Sequence, residues 1–264
     1  MKTLAALLTA IAVCTASAQD WAKAQLEKSP RHQEWVKAKH GDREVSAFLV
    51  FPEVKEKATV VVVIHEIFGL TDWVRNVADQ LAAAGYIAIA PDLLSGAAPG
   101  GGGTAELGGG DNVRKVISTL PADQITADLN AVADLVAKLP AANGRIAVAG
   151  FCWGGTQSFR FASNRKDLKA AIVFYGTGLE KDDEIARIAC PVHGFYGGND
   201  ARIGATIPKT EELMKKAGKT YEPVTYEGAG HGFMRAGEAP DASEPNKTAR
   251  DAAWKRWKAV LGKL

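Results

Sequence analysis

The chain has 264 residues, of which 47% are hydrophobic and 23% charged, and its formal net charge is +2. This length and balance are typical of a globular protein with one single-core domain. The near-neutral charge gives no indication of binding to nucleic acid or to an anionic membrane surface, so neither class of partner is expected.

The first 18 residues differ from the rest of the chain. Lys2 is followed by an apolar run over 4–13 and then by small residues up to Ala18. A basic start, a short apolar core and a small-x-small ending predict a secretory signal peptide cut after Ala18, and hence a periplasmic or secreted protein. The run is too short for a lasting membrane anchor. The alternative is a helix packed on the domain. After cleavage, residues 19–33 would form a helical extension ahead of the main domain, 34–264.

Apolar runs rich in β-branched residues alternate with amphipathic stretches along the chain. The former predict buried strands and the latter predict helices. In chain order we expect a helix (20–28), a hairpin (34–51), a strand (59–64), a helix (72–84), a strand (86–90), a helix (126–139), a strand (146–149), a helix (157–162), a strand (168–175), a helix (179–188), a strand (190–196), a helix (205–217), a strand (222–226) and a closing helix (246–261). This alternation predicts an α/β fold with a doubly wound, mostly parallel sheet in a single domain.

A glycine-rich stretch, 95–110, interrupts the pattern. Its run of glycines at 100–103 has no Gly-Lys-Ser/Thr after it and no strand directly before it, which argues against a phosphate-binding loop. We expect a flexible, poorly packed segment that serves as a lid or rim of the site.

Cysteine usage points to neither a metal nor a cofactor. Removal of the signal peptide takes Cys14 and leaves Cys152 and Cys190, which form no C-x-x-C pair and so neither a zinc site nor a disulfide framework. Cys190 opens an apolar strand and is expected to be an inert core residue. We therefore expect no metal and no cofactor.

The stretch 145–155 reads RIAVAGFCWGG and carries the clearest functional signal in the chain. An apolar strand ends in a glycine-framed turn and a helix follows, which is the pattern of a nucleophile elbow with Cys152 at its centre. Gly150 and Gly154 allow the strand and the helix to approach closely. The helix N-terminus favours the thiolate form of Cys152. The alternative is a buried cysteine that only packs between strand and helix.

Two further side chains lie at predicted strand ends, where sites in open α/β sheets form. Asp200 follows one strand, and His231, between glycines, follows the next. The order nucleophile, acid, histidine is that of α/β-hydrolases. His231 would pair with the thiolate or take its proton, and Asp200 would fix the imidazole tautomer. The backbone N–H groups of Trp153 and Ile67 are placed to form an oxyanion hole.

Three motifs together resemble the dienelactone hydrolase family of α/β-hydrolases, namely Gly150-Phe151-Cys152-Trp153-Gly154-Gly155, His65-Glu66-Ile67-Phe68-Gly69 and Gly230-His231-Gly232-Phe233. The resemblance implies an α/β-hydrolase fold from about residue 34 to the C-terminus, with 34–264 as the catalytic domain. It also implies that Cys152, Asp200 and His231 form a catalytic triad.

The same resemblance implies roles for three further side chains. Glu66 would hold the resting thiol and take its proton when substrate enters. Arginines would hold a carboxylate of the substrate, and their planar fork suits that group. Arg235 matches one of them by its spacing from the histidine, and Arg114 is a candidate for the other by position only.

These features predict a hydrolase that cleaves an ester or lactone, of the dienelactone type or another activated, carboxylate-bearing type, through a thioester on Cys152. The alternatives are a broad carboxylesterase or thioesterase, a binding protein on a hydrolase scaffold, and a redox sensor that uses the same thiol. We expect a small-molecule ester or lactone as the partner, and a protein that acts as a monomer.

Overall fold

The structure is a computed structural model that describes residues 19–264. The predicted signal peptide and Cys14 lie outside the described residues, so export of the protein stays a prediction. Within 19–264, no helix combines the length and the apolar character needed to cross a bilayer.

Strands and helices alternate along the described chain, largely as predicted. The strands are β1 (Gln33–His40), β2 (Arg43–Val50), β3 (Ala58–Ile64), β4 (Ile87–Pro91), β5 (Ala142–Phe151), β6 (Leu168–Phe174), β7 (Val192–Gly197) and β8 (Tyr221–Tyr226). The helices are α1 (Asp20–Glu27), α2 (Asp72–Ala83), α3 (Gly110–Thr119), α4 (Ala122–Ala137), α5 (Trp153–Asn164), α6 (Asp182–Ala186), α7 (Ala201–Gly204), α8 (Ile207–Lys216), α9 (Phe233–Ala236) and α10 (Glu244–Leu261).

The strands form one eight-stranded sheet in the order β1-β2-β4-β3-β5-β6-β7-β8. β1 pairs antiparallel with β2, and β2 with β4, whereas the pairs from β4 across to β8 are parallel. The direction of strand addition reverses at β3. The strand that follows β3 in the chain, β4, lies on one side of it, and the next strand, β5, lies on the other side. The predicted doubly wound, mostly parallel sheet is confirmed. The reversal creates a crevice at the strand ends, where open α/β sheets bind ligands.

Helices cover both faces of the sheet because the central strands are apolar on both faces. In β3, Val60, Val62 and Ile64 belong to one core cluster, whereas Val61 and Val63 belong to the other. Residues of α4, α5, α6 and α8 complete the first cluster, and residues of α1, α2 and α10 complete the second. This arrangement explains why β3 is a continuous β-branched run rather than an alternating one.

The glycine-rich stretch 95–110 contains some regular structure and one fixed point. It contains two short 3-10 helices, Pro99–Gly101 and Thr104–Leu107. The Asp92 carboxylate, just beyond β4, accepts hydrogen bonds from the backbone N–H (2.7 Å) and the hydroxyl (2.7 Å) of Thr104. Most of the stretch is exposed, as expected of a poorly packed segment, but the carboxylate from the neighbouring strand end fixes it at Thr104.

Other differences concern short elements and element ends. The sequence analysis did not place α3, α7 or α9, and the last two have only four residues each, too few to show a helical period. His40, expected in the turn of the hairpin, is the last residue of β1, and its Nε2 hydrogen-bonds Oδ1 of Asp128 at 2.6 Å. Contacts with distant parts of the chain, rather than the local sequence pattern, therefore determine these short helices and element ends.

Candidate active site

The predicted site residues follow the carboxyl ends of four strands. Glu66 follows β3, Cys152 follows β5, Asp200 follows β7 and His231 follows β8. These strands are parallel, so their carboxyl ends lie at one edge of the sheet. β3 and β5 also flank the point where the strand order reverses. Side chains that are far apart in the sequence therefore meet at the position expected for a ligand site.

Cys152 joins β5 directly to α5 in a backbone conformation that side chains rarely adopt, with φ 54° and ψ −117°. A Cβ on Gly150 would lie 2.1 Å from the carbonyl oxygen of Gly154. A Cβ on Gly154 would lie 2.3 Å from the carbonyl oxygen of His65. Strand, turn and helix therefore fit together only with glycine at both positions, as the elbow pattern predicts.

Replacing Gly154 with alanine is expected to lower the free energy of unfolding by about 3 kcal/mol. The added methyl group would meet a backbone carbonyl, which cannot rotate away as a side chain can, so α5 must shift from β3. Urea unfolding measures the loss. The control is Gly204→Ala in α7, where a Cβ would meet nothing within 4 Å and wild-type stability is expected. Equal stability of the two variants would contradict the close approach.

His231 and Asp200 form a hydrogen-bonded pair. Nδ1 of His231 bonds Oδ2 of Asp200. Asp200 is 7% exposed, and the His231 side chain is 32% exposed. The Asp200 carboxylate also caps α7 by accepting a bond from the backbone N–H of Ile203 (3.4 Å). A carboxylate held in this way favours the imidazole tautomer with its proton on Nδ1, and so leaves Nε2 available as a base.

Glu66 and Arg235 form an ion pair in the site. Nε of Arg235 donates to Oε2 of Glu66 at 2.9 Å, and the Glu66 side chain is only 4% exposed. Burial raises the pKa of Glu66, and the positive charges of Arg235 and His231 oppose that rise. The carboxylate therefore depends on Arg235 to remain charged. If the guanidinium turned to another anion, Glu66 would become a stronger base.

The Cys152 thiol lies among groups of both signs. Burial raises the pKa of the thiol, and the negative charge of Glu66 raises it further. The backbone N–H groups of Trp153 and Ile67 lower this pKa because they stabilise a negative sulfur, and the guanidinium of Arg202 acts in the same direction. The raising effects are the larger ones, so the thiol is protonated at neutral pH. The two N–H groups that face the sulfur are those predicted for an oxyanion hole.

His65 holds the loop that carries Glu66 and Ile67. The backbone N–H of Leu93 donates to Nε2 of His65 (3.3 Å), which leaves the proton on Nδ1, and Nδ1 donates to the carbonyl oxygen of Glu66 (2.8 Å). Burial lowers the pKa of His65 and so keeps the ring neutral. The ring also stacks on Trp153 with centroids 5.5 Å apart. His65 therefore connects the two backbone segments whose N–H groups face the thiol.

The two arginines predicted to bind a carboxylate both lie near the ring of Phe68. Cζ of Arg114 lies 5.9 Å from the centroid of Phe68, and Cζ of Arg235 lies 5.5 Å from it. Arg114 pairs with Asp111 of its own helix, and the Asp111 side chain is 92% exposed. Exposed ion pairs are weak, so an incoming carboxylate can compete for Arg114. The structure thus brings both arginines to the site, although Arg114 was chosen by position only.

Tyr175 and Arg202 belong to the site but were not singled out from the sequence. Tyr175 follows β6 with a φ of 41°, and Cys152 is the other non-glycine residue with positive φ in the described part of the chain. The Tyr175 ring packs edge-on against His231, with centroids 5.1 Å apart. The available signals were positional: Tyr175 stands at a strand end before a glycine, and Arg202 comes two residues after Asp200.

The chemistry available at this edge of the sheet is that of acyl transfer. A thiol on an elbow, an imidazole backed by a carboxylate and two converging N–H groups are the parts that this reaction needs. Residues 19–264 contain no group of three or more histidine, cysteine, aspartate or glutamate side chains arranged to hold a metal ion. The fold and the site together define an α/β-hydrolase.

Comparisons with known proteins give the family. Residues 45–264 match the dienelactone hydrolase family, and the chain belongs to that family. A protein of Methylorubrum extorquens named "Putative carboxymethylenebutenolidase" is 32% identical over 84% of this chain and 77% of its own. A protein of the same name from Saccharolobus solfataricus is 29% identical over 83% of this chain and 94% of its own.

Solved structures agree with this assignment. A crystal structure titled "Putative Dienelactone Hydrolase", from Klebsiella pneumoniae, superposes with a TM-score of 0.77 and 26% identity. The superposition covers 89% of this chain and 99% of that one. The α/β-hydrolase fold predicted from the motifs is therefore confirmed, and the protein is a carboxymethylenebutenolidase-like hydrolase of ester or lactone bonds.

Proposed function

We propose that the protein hydrolyses activated esters or enol lactones that carry a free carboxylate, with Cys152 as nucleophile and His231 and Asp200 as its partners. The observation that carries this proposal is the convergence of an elbow thiol, a carboxylate-backed imidazole and two backbone N–H groups at one edge of the sheet. The preference for an anionic substrate is supported by the two arginines that lie near Phe68.

In the resting enzyme the thiol is protonated and unreactive. Its pKa is raised by burial and by the neighbouring Glu66 carboxylate, which Arg235 keeps charged. A substrate carboxylate competes for Arg235 and removes that support. Glu66 then takes the proton from Sγ of Cys152, giving a carboxylic acid and a thiolate. The thiolate therefore forms in the complex, where an acyl group is present to react with it.

The thiolate attacks the carbonyl carbon, and the resulting oxyanion is stabilised by the N–H groups of Ile67 and Trp153. Collapse of the tetrahedral species expels the alcohol oxygen as an alkoxide or enolate and leaves a thioester on Cys152. Nε2 of His231 then takes a proton from water, and the hydroxide attacks the thioester. The imidazolium returns its proton to the expelled oxygen, and Glu66 returns its proton to the sulfur. An enolate or aryloxide leaves without prior protonation, which favours enol lactones and activated esters.

A panel of matched substrates tests this proposal. Para-nitrophenyl acetate is neutral, whereas para-nitrophenyl hydrogen succinate carries a free carboxylate on the same leaving group. We expect a higher kcat/KM for the succinate, and mass spectrometry of the quenched reaction should find the acyl group on Cys152. Equal kcat/KM values with an adduct on Cys152 would instead favour a broad carboxylesterase. The lack of any adduct on Cys152 during turnover would contradict the mechanism.

Substitution of Arg235 by alanine is expected to raise KM for the succinate ester by about tenfold to a hundredfold, the range for losing a charged hydrogen bond. KM for the acetate should be unchanged, because that ester has no carboxylate for Arg235 to bind. Without its cation the buried Glu66 becomes neutral and can no longer take the thiol proton, so kcat should fall for both esters. Steady-state kinetics with both esters measure the difference.

A matched control involves a carboxylate of α2. Arg31 also pairs with a buried carboxylate, that of Asp79, which is 5% exposed. Arg31→Ala should lose a comparable ion pair and leave the ratio of the KM values for the two esters unchanged. If Arg235→Ala raised KM for both esters by the same factor, the proposed role of Arg235 in binding the substrate carboxylate would be wrong.

A further inference from the structure

The helix that carries Arg235, α9, is too short to be stable by itself. It has only four residues, Phe233–Ala236. A first helical turn is unfavourable because it fixes several residues in return for one hydrogen bond. Contacts with the rest of the protein must therefore hold α9. These contacts also determine where the guanidinium of Arg235 lies relative to Glu66, its partner at 2.9 Å.

Both ends of α9 are held by neighbouring segments. Its first two residues are buried in the core between the sheet and α10. After its last residue, a Cβ on Gly237 would lie 2.3 Å from the carbonyl oxygen of Asn246 in α10. The backbone N–H of the next residue, Glu238, donates to the carbonyl oxygen of Arg235 (3.2 Å). Glu238 is thus joined through the backbone to the residue that pairs with Glu66.

The carboxylate of Glu238 connects this end of α9 to α2. Its Oε2 accepts a hydrogen bond from Nε1 of Trp73 (3.0 Å). Its Oε1 accepts from the amides of Asn76 (3.1 Å) and Gln80, and Nη2 of Arg250 lies 3.5 Å away. The Glu238 side chain is only 9% exposed. All four neighbours present N–H donors, so only a side chain that accepts at both of its terminal atoms can satisfy them.

The same two segments of chain carry both the Glu66–Arg235 pair and the Glu238–Trp73 bond. Glu66 precedes α2, and Trp73 is the second residue of α2. Arg235 belongs to α9, and Glu238 follows α9 by two residues. A single bond between two segments leaves them free to rotate about it, whereas two bonds fix their relative orientation. The Glu238 carboxylate therefore constrains the geometry of the ion pair in the site.

We propose that Glu238 is a positioning residue that places Arg235 for binding the carboxylate of the substrate. This inference rests on the proposed function, in which Arg235 binds that carboxylate. Because the guanidinium binds through a planar fork, a small rotation of α9 misaligns its hydrogen bonds. Glu238 acts through the backbone of α9 rather than on the substrate, since its own carboxylate is bonded to α2.

Glu238→Gln tests the inference because it keeps the size of the side chain and replaces one acceptor by an NH₂ group. That group would face N–H donors, so at least one bond to α2 is lost. We expect KM for para-nitrophenyl hydrogen succinate to rise about fivefold and KM for para-nitrophenyl acetate to stay unchanged. A wild-type KM for the succinate would overturn the role of Glu238.

Asp79→Asn is the matched control, because Asp79 is a buried carboxylate of α2 that also accepts several hydrogen bonds. Its donors belong to a different segment, namely Ser29, Arg31 and Gln33. This variant should lose a comparable amount of stability in urea unfolding and keep both KM values. If it raised KM for the succinate as much as Glu238→Gln does, a general loosening of α2 would be the cause, and the inference would be overturned.

The double variant with Arg235→Ala separates this inference from the proposed function. If Glu238 acts through Arg235, then Glu238→Gln should raise KM for the succinate no further once Arg235 is replaced. A further fivefold rise would overturn the role of Glu238 and leave that of Arg235 intact. If Arg235→Ala alone left KM for the succinate unchanged, the proposed binding of the carboxylate would be wrong, and the role of Glu238 in it would be overturned as well.

A readout without turnover tests the positioning directly. The Nε–H of Arg235, which donates to Glu66, gives a signal in ¹⁵N NMR spectra that Arg235→Ala removes and thereby assigns. Glu238→Gln should increase the exchange of this proton with solvent about fivefold, because the bond opens more often. Asp79→Asn should leave the exchange rate unchanged. An unchanged rate in Glu238→Gln would overturn the inference even if KM had risen.

Discussion

Cys152→Ala should lower kcat for every hydrolysed ester by a factor on the order of ten thousand, while the unfolding temperature stays close to that of the wild type. The loss is large because the acyl group has no other nucleophile at the elbow. Stability is retained because the side chain is small and its sulfur is only partly buried. Ester kinetics and thermal unfolding of the same preparations measure both quantities.

The other free cysteine of residues 19–264 provides the control for this experiment. Cys190 is 6% exposed, and burial raises its pKa to about 11, so it is not a nucleophile at neutral pH. Cys190→Ala should therefore keep wild-type kcat and lose some stability from the cavity it leaves. The two variants are expected to show opposite patterns, one kinetic and one thermodynamic. Full hydrolytic activity in Cys152→Ala would refute the assignment of the nucleophile.

Asp200→Asn should lower kcat by a factor on the order of a thousand and cause the thioester on Cys152 to accumulate. In the proposed cycle Glu66 removes the thiol proton, but His231 must activate the water that cleaves the thioester. Without the carboxylate, the imidazole loses both its fixed tautomer and the charge that stabilises its protonated form. Intact-protein mass spectrometry during turnover should therefore show a high fraction of acylated enzyme.

The fold should survive the Asp200→Asn change. Asparagine is as good a helix cap as aspartate, so the bond to the N–H of Ile203 can be kept. A matched comparison is His231→Gln, which should also accumulate the thioester because it removes the base itself. If Asp200→Asn showed a slow reaction with no accumulated acyl-enzyme, acylation rather than thioester hydrolysis would depend on the pair, and the assignment of proton transfers would need to be reversed.

Local sequence patterns predicted the parts of the site that local geometry controls. The elbow is one example, because a Cβ at Gly150 or Gly154 would overlap backbone atoms, and glycine is the residue type that avoids this. The strand-end positions of Asp200 and His231 are another, since a buried β-branched run followed by a polar residue marks where a parallel strand leaves the sheet. The order of these residues along the chain then indicated the class of enzyme.

The glycine-rich stretch shows what such patterns leave out. Its composition indicated a poorly packed loop, and most of it is exposed, but it gave no indication that the Asp92 carboxylate binds Thr104. Tyr175 was not identified as a site residue for a related reason: in the sequence it is only the last residue of an apolar run. Its position against His231 depends on a positive φ and on the neighbouring strand ends, which no periodicity reveals.

The sequence by itself determined the alternating α/β architecture, the cysteine elbow and the positions of Asp200 and His231 after strand ends. These follow from periodicity, turn chemistry and strand ends, which act over a few residues at a time. Only the tertiary structure decided that Glu66 is paired with Arg235, that Arg114 reaches Phe68 and that the Tyr175 hydroxyl is buried without a partner within residues 19–264. Such contacts join residues that are distant in the chain, and they depend on the order of strands in the sheet.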